Sequence, residues 1–250
     1  MGNDTRVAIV TGGMGGLGQA ICKRLADEGG VTVVALHSPG NPRVQSWLGE
    51  REREGYLFDT ESVDVADFAS CAAAVAAVRQ RQGPISVLVN NAGITRDAGF
   101  RKMTLEQWQA VLRTNLDSMF NMTKQVIEDM LALGWGRIVN ISSVNGQRGA
   151  FGQANYAASK AGIHGFTKSL AVEFGRKGIT VNTVSPGYLH TAMVDKVPAD
   201  VLASKILPEI PVGRLGEPDE VAQLVAHLAS ERGAFINGAD LSINGGQHMS

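Results

Sequence analysis

Tyr156 and Lys160 stand four residues apart in the run Gln153-Ala154-Asn155-Tyr156-Ala157-Ala158-Ser159-Lys160. On a helix that spacing puts both side chains on one face. A free phenol ionises near pH ~10, and a neighbouring ammonium favours the phenolate and lowers that value. The pair is then expected to give a proton to a nascent alkoxide and to take it back. A Tyr and a Lys on one helix are also a common surface pair, so the reading depends on what accompanies them.

A second cluster lies near the start of the chain. Val7–Val10 has a strand pattern and runs into Thr11-Gly12-Gly13-Met14-Gly15-Gly16-Leu17-Gly18, after which a helical pattern begins. The segment fits GxGxxG at Gly13, Gly15 and Gly18, and TGxxxGxG at Thr11, Gly12, Gly16 and Gly18. Such glycines let the backbone turn tightly and let a phosphate approach the amides of a helix N-terminus. Five glycines in seven positions cost much conformational entropy for a turn that binds nothing. NAD enzymes built this way place an acid at the end of the second strand for the ribose 2′-hydroxyl. Here that strand ends Ala35-Leu36-His37-Ser38, without an acid, and Arg43 follows. An arginine can pair with a 2′-phosphate, so NADP(H) is the expected cofactor.

Asn90-Asn91-Ala92-Gly93 and Ser142-Ser143 end the fourth and fifth strand patterns, where open parallel sheets meet ligands. A serine hydroxyl there can hydrogen-bond a substrate carbonyl. Asn115 interrupts the apolar stripe Trp108, Val111, Leu112, Leu116, Met119 and Phe120. An amide on that face must find partners. It is either a structural amide holding two helices in register or a helix kink that positions a water beside Lys160.

The elements that must hold these groups alternate along the chain. Val7–Val10, Thr32–Leu36, Tyr56–Asp59 or Ser62–Val65, Ser86–Asn90, Ile138–Ile141, Thr180–Val184 and Leu241–Ile243 are short and rich in β-branched residues. Leu17–Ala26, Phe68–Arg79, Leu105–Leu131, Asn155–Phe174 and Asp219–Leu228 repeat apolar residues at helical spacing. That alternation predicts an α/β fold: a single Rossmann-type doubly wound domain spanning 1–250, with about seven parallel strands flanked by helices on both faces. The stretch 190–211 lacks a strand pattern and is expected to be a lid-like insertion, a small helical lid.

The chain has 250 residues, 44% of them hydrophobic, with 30 glycines and a net charge of −1. It can bury a large core, and its charge suggests neither a nucleic-acid nor a membrane partner. The basic residues between Arg43 and Arg53 are mixed with acids and read as a solvated face. No signal peptide and no membrane-length apolar run is read. Cys22 and Cys71 lack metal or redox spacing, so they are expected to be buried, no metal site is expected, and a cytoplasmic location is the default.

Taken together, the chain resembles the short-chain dehydrogenase/reductase family over nearly its whole length. The carrying residues are Thr11-Gly12-x-x-x-Gly16-x-Gly18, Asn90-Asn91-Ala92-Gly93, Asn115, Ser143, Tyr156-x-x-x-Lys160, and Pro186-Gly187 with Thr191. The resemblance implies a catalytic set in which Ser143 orients the carbonyl and Tyr156 is the general acid. Lys160 would bind the nicotinamide ribose and lower the Tyr156 pKa, and Asn115 would hold a relay water. It implies cofactor contacts at Gly12, Met14, Gly15, Gly16, Leu17, Gly18, Ser38, Arg43, Asp64, Val65, Asn91, Ala92, Gly93, Tyr156, Lys160, Pro186, Gly187 and Thr191. Asp64 would lie beside the adenine and Thr191 near the carboxamide. Family members are usually tetramers, so a homotetramer pairing helices 105–131 and 155–174 is expected.

Within the family, the chain is similar to bacterial acetoacetyl-CoA reductases of polyhydroxybutyrate synthesis. That similarity is carried by Ile94-Thr95-Arg96-Asp97, Phe100-Arg101-Lys102-Met103, Gly134 to Asn140, Ser142 to Gln147, Phe151-Gly152-Gln153 and the tail Gly245 to Met249. It implies an acyl-CoA thioester substrate held by Asp97, Lys102, Ser143, Phe151, Gln153 and Tyr188. Ala150 stands where that group often carries Gln, and His190-Thr191-Ala192-Met193 lacks its usual acid. The rival is a 3-oxoacyl-(acyl-carrier-protein) reductase, which shares the catalytic residues but tends to carry docking arginines where this chain has Gly134 and Val172. A non-catalytic NADP-binding regulator is the third reading, and it would not need Ser143, Asn115, Tyr156 and Lys160 together.

Overall fold

Val7 and Ile9 face one side of the first strand, Ala8 and Val10 the other, and all four are buried. A strand apolar on both faces has to be covered on both. The structure, a computed structural model, describes residues 6–191 and 199–249. Seven parallel strands are β1 (Arg6–Thr11), β2 (Val31–His37), β3 (Asp59–Ser62), β4 (Ile85–Asn90), β5 (Gly136–Ile141), β6 (Ile179–Pro186) and β7 (Asp240–Ile243). They lie side by side in the order β3-β2-β1-β4-β5-β6-β7. Helices α1 (Gly16–Asp27), α2 (Val44–Arg53) and α9 (Pro218–Ala229) bury Ile21, Leu25, Trp47, Val221 and Val225 against one face. Helices α3 (Phe68–Gln82), α5 (Ser118–Leu133) and α7 (Ala154–Phe174) bury Val75, Val78, Met122, Val126 and Ala171 against the other. This is the doubly wound arrangement expected. Among the described residues no helix is long and apolar enough to cross a membrane.

Chain direction across the sheet reverses at β1, which pairs with both β2 and β4. The carboxyl ends of β1 and β4 therefore open a crevice, the usual ligand position in such sheets. A buried polar ladder fixes the strands beside it. Asn90 donates to the Asn140 amide oxygen (2.9 Å), Asn140 donates to Thr167 (2.9 Å), and Thr167 meets Thr183 (2.8 Å). Cys22 and Cys71 are buried free thiols, one in each core, and burial pushes Cys71 up to about 12.

Three local expectations need correcting, and one helix was not expected. Strand β3 is Asp59–Ser62, between the two segments the β-branched pattern offered. It is an edge strand with one neighbour, so its place is set by pairing with Val34–His37 and by Arg81, which bonds Asp59 and Glu61. The segment read as a solvated face is helix α2, which buries Trp47 and Arg51. Arg51 reaches Gln19 at 2.8 Å and Glu54 at 2.9 Å, so this charge serves packing. The long helix expected over 105–131 is α4 (Leu105–Leu112), a wide π turn (Arg113–Asp117) and α5. The short helix α6 (Val144–Arg148) has too few residues to show a period. Within 190–211 the described part is a run of helical turns, α8 (Ala199–Val201), Leu202–Ile206 and Leu207–Glu209. Ala192 and Met193 lie outside the described residues.

Trp47 is 1% exposed and stacks on Phe58 with ring centroids 5.5 Å apart. Trp47→Ala is expected to cost about 3–5 kcal/mol of unfolding free energy, measured by urea denaturation. A loss below about 1 kcal/mol, the scale of an ordinary surface change, would show that α2 does not anchor this face.

Candidate active site

The glycine loop closes the crevice from one side. Gly12 has φ +62, and a Cβ there would sit 3.2 Å from Ala92 Cα. A Cβ on Gly18 would run into the Gly12 carbonyl, so α1 can start this close to β1 only without a side chain there. The N-cap of α1 is Gly15, and the first turn holds no acid. Its first-turn amides thus have no side-chain cap and face the crevice mouth, where Gly15 and Gly16 are exposed. Such an end attracts an anion. Thr11 Oγ1 accepts from the Asn91 and Ala92 amides, both at 2.9 Å, and Asn91 Nδ2 donates to Thr11 O at 3.0 Å. These bonds hold the β1 and β4 ends at one separation. The cradle therefore fits a dinucleotide phosphate.

Other expected cofactor contacts ring this cradle. A Cβ on Gly16 would touch Thr191 Cγ2 at 3.3 Å, which places Thr191 against the start of α1. Gly187 packs on Asn244, and its amide donates to Ile243 O at 3.0 Å, so Pro186-Gly187 is fixed at the end of β6. Ser38 and Arg43 are exposed beyond β2. Asn41 ties this loop to the cradle: its Oδ1 accepts from Arg43 N at 3.0 Å, and its Nδ2 approaches Met14 Sδ at 3.8 Å. Asp64 is exposed and its carboxylate accepts from Ala66 N at 3.0 Å, while Val65 is buried against α5 by Asn121.

Lys160 is 3% exposed, and its Nζ donates to Ile141 O at 2.8 Å. Burial lowers its pKa from 10.5 to about 8. The ammonium lies 5.7 Å from the centre of the Tyr156 ring. Burial also raises the Tyr156 pKa, and the hydrogen bond from Ser143 opposes that rise. This corrects the expected balance. The sequence argument counted the attraction between phenolate and ammonium and left out the desolvation of both charged forms, which acts on each separately. Asp97 and Tyr188 add to the rise at Tyr156, so both stand on its side of the crevice.

Asn115 is fully buried in the wide turn. Its Oδ1 accepts from Ile94 N at 2.8 Å, and its Nδ2 donates to Ile94 O at 3.0 Å and Ser159 Oγ at 3.3 Å. Both readings of the sequence find support here. The helix is distorted, and the amide is satisfied. Gly162 lets Leu116 approach α7, and a Cβ on Gly93 would meet Asn115 Oδ1 at 3.4 Å and Lys160 Nζ at 3.6 Å. Gly93, Asn115 and Lys160 thus converge.

On the open side, Gln153 donates to Asp97 at 2.8 Å, Asn145 donates to Gln153 at 2.9 Å, and the Asn145 amide donates to Ser143 Oγ at 3.2 Å. Ser143, Gln153 and Asp97 form one wall, joined by Asn145, to which the sequence reading assigned no role. Ser143 caps α6, whereas Ser142 points inward and donates to Lys160 O at 2.9 Å. Of the two serines, Ser143 therefore faces the crevice. Phe151 and Lys102 are exposed at the rim beside Phe100. Tyr188 borders a cavity of about 130 Å³ lined also by Leu189, Ile210 and Ile243.

A family model described as short chain dehydrogenase matches residues 6–202. The chain is 56% identical over 244 residues to an acetoacetyl-CoA reductase of Cupriavidus necator, covering 98% of each chain. It is 49% identical over 244 residues to an acetoacetyl-CoA reductase of Allochromatium vinosum, covering 98% of this chain and 99% of that one. It is 41% identical over 250 residues to a 3-oxoacyl-(acyl-carrier-protein) reductase of Vibrio cholerae, covering all of both. With the parallel sheet, the glycine cradle and the Tyr156–Lys160 pair in place, the chain belongs to the short-chain dehydrogenase family.

Proposed function

We propose that this protein reduces acetoacetyl-CoA to (R)-3-hydroxybutyryl-CoA with NADPH, supplying monomer for polyhydroxybutyrate. A nicotinamide dinucleotide is the cofactor the family implies. Gly12, Met14, Gly15, Gly16, Leu17 and Gly18 would hold its pyrophosphate, and Arg43 with Ser38 would take the 2′-phosphate. Asp64 and Val65 would flank the adenine, and Asn91, Ala92, Gly93, Pro186, Gly187 and Thr191 would line the nicotinamide side. When bound, the cofactor supplies a hydride to C3 of the thioester. Ser143 donates to the C3 carbonyl oxygen, and Tyr156 delivers the proton to that oxygen as it gains charge. Lys160 holds the ribose, and its ammonium stabilises the phenolate left on Tyr156. Asn115 holds the water that returns the proton.

The observation that carries this reading is the convergence of Ser143, Tyr156 and Lys160 at the carboxyl ends of the strands, beside a cradle suited to phosphate. Asp97, Gln153, Phe151, Lys102 and Tyr188 would border the same opening, where the thioester would lie under the 190–211 segment acting as a lid. The CoA ester is favoured over the carrier-protein ester by two positions. Val172 is exposed and uncharged. Gly134 takes φ +63 as the C-cap of α5, a conformation that disfavours an arginine. Neither offers a cation to an acidic carrier. The enzyme would act as a cytoplasmic homotetramer.

The test is kcat/KM for acetoacetyl-CoA against acetoacetyl-carrier protein, with NADPH and with NADH. The expected result is a preference for the CoA ester with NADPH. In Arg43→Ala the KM for NADPH should rise about tenfold or more, as expected for a lost hydrogen bond to a charged group, with the NADH rate unchanged. A carrier-protein preference would move the chain to fatty-acid synthesis. Tyr156→Phe is expected to lower kcat by about 10²–10⁴-fold while NADPH binding, followed by fluorescence titration, stays intact. Turnover near the parent rate would remove Tyr156 from the mechanism.

A further inference from the structure

One partly buried polar cluster lies behind the reacting groups and has no part in the mechanism above. It rests on that mechanism's reading of Ser143, Tyr156 and Lys160 as the reacting centre. His164 follows Lys160 by one turn of α7, and its Nε2 lies 2.9 Å from Ser142 Oγ and 3.4 Å from Asp240 Oδ2. Two oxygen acceptors at one ring nitrogen select the tautomer with hydrogen on Nε2. Ser142 has a single hydroxyl hydrogen, which goes to Lys160 O at 2.9 Å, so it can only accept from His164. The hydrogen bonds therefore run in one direction, from His164 to Ser142 to the Lys160 carbonyl.

Asp240, near the edge of the sheet, fixes the far end. Its Oδ1 accepts from Ser185 at 2.6 Å and its Oδ2 from Gln147 at 2.8 Å. Gln147 belongs to α6, the helix that Ser143 caps. The carboxylate thus ties α6, α7 and β6 together, and bonds to a charged acceptor are the stronger kind. Gly146 lets the two helices touch there, since a Cβ on it would lie 2.8 Å from Lys160 Cβ.

We propose that His164, acting through Ser142 and backed by Asp240 and Gln147, is a positioning residue that holds the Lys160 turn of α7 in register with Ser143. It touches neither substrate nor cofactor. Its effect is on the distance between the groups that act on the carbonyl, so its loss lowers kcat and leaves the KM for the thioester alone, while the KM for NADPH, whose ribose Lys160 holds, follows the displaced turn.

Steady-state kinetics with acetoacetyl-CoA and NADPH on the full chain test this. His164→Leu should lower kcat about tenfold, less than the loss from a 1 Å misplacement, with the KM for acetoacetyl-CoA within about twofold. His164→Gln, whose amide N–H can reach the Nε2 position, should recover most of that loss. Adding His164→Leu to Ser142→Ala should change nothing further, because the two lie on one path. An unchanged kcat in His164→Leu, no recovery in His164→Gln, or additive losses in the double variant would overturn the proposal. If His164→Leu does not fold, Ser142→Ala decides: kcat must fall at constant KM for acetoacetyl-CoA, and an unchanged kcat rejects the network. Failure of the underlying mechanism is seen separately, as turnover that survives Tyr156→Phe.

Discussion

The arrangement depends on keeping the Lys160 ammonium inside the protein beside a phenol. A buried cation is costly unless it is hydrogen-bonded, and even then its charged form is destabilised. Lys160 has the Ile141 carbonyl at 2.8 Å and a pKa lowered to about 8. Much of the surrounding structure serves this one group. Strand β5 ends at the carbonyl it uses. Gly146 and Gly93 remove the side chains that would hold α6 and the β4 loop away from it. Ser142 fixes the backbone turn that carries it. The residue gives up stability in return for a charge poised near neutral pH, a trade common at reacting centres.

The phosphate side rests on backbone geometry. The cradle is open because β1 and β4 are neighbours whose connections run in opposite directions, so loops diverge and leave a crevice. The bonds from Asn91 and Ala92 to Thr11 keep that crevice at a fixed width. Behind it, the Asn90–Asn140–Thr167–Thr183 ladder locks β4, β5, β6 and α7 into one block. A fully paired buried network of this kind fixes one arrangement more sharply than apolar packing does. The cofactor side and the proton-transfer side are thus held by parts of the same rigid core.

Most of the candidate site was legible because the chemistry proposed for it needs particular residues at particular spacings. A phenol and an amine on one helical face, and glycines where a strand meets a helix, are visible without a fold. The fold class was legible from apolar strands alternating with helical stripes. Other features were hidden for physical reasons. Strand β3 is an edge, so pairing with β2 and the Arg81 contacts outweigh its polar sequence. Helix α2 looked solvated because its bases are mixed with acids, yet the Arg51 guanidinium is buried, bonding Gln19 and the exposed Glu54. The wide turn at Asn115 leaves the apolar period nearly intact, so the sequence offered a kink there only through the polar residue that interrupts the stripe, beside the alternative of a structural amide. The direction of the Tyr156 shift depended on burial, which no spacing conveys.

The central claim is that Lys160 is a desolvated ammonium whose charge is lost at a lower pH than that of an ordinary lysine. Titration of Lys160 Nζ by NMR in the full-length protein tests it directly, with Lys160→Met used to assign the resonance. Burial disfavours the charged form, so the folded-state midpoint must fall below the ordinary 10.5, to about 8. The ammonium is then present at neutral pH and lost as pH rises through that value. A midpoint at the ordinary lysine value would contradict the account. It would mean that the amine is solvated and does not tune the proton on Tyr156.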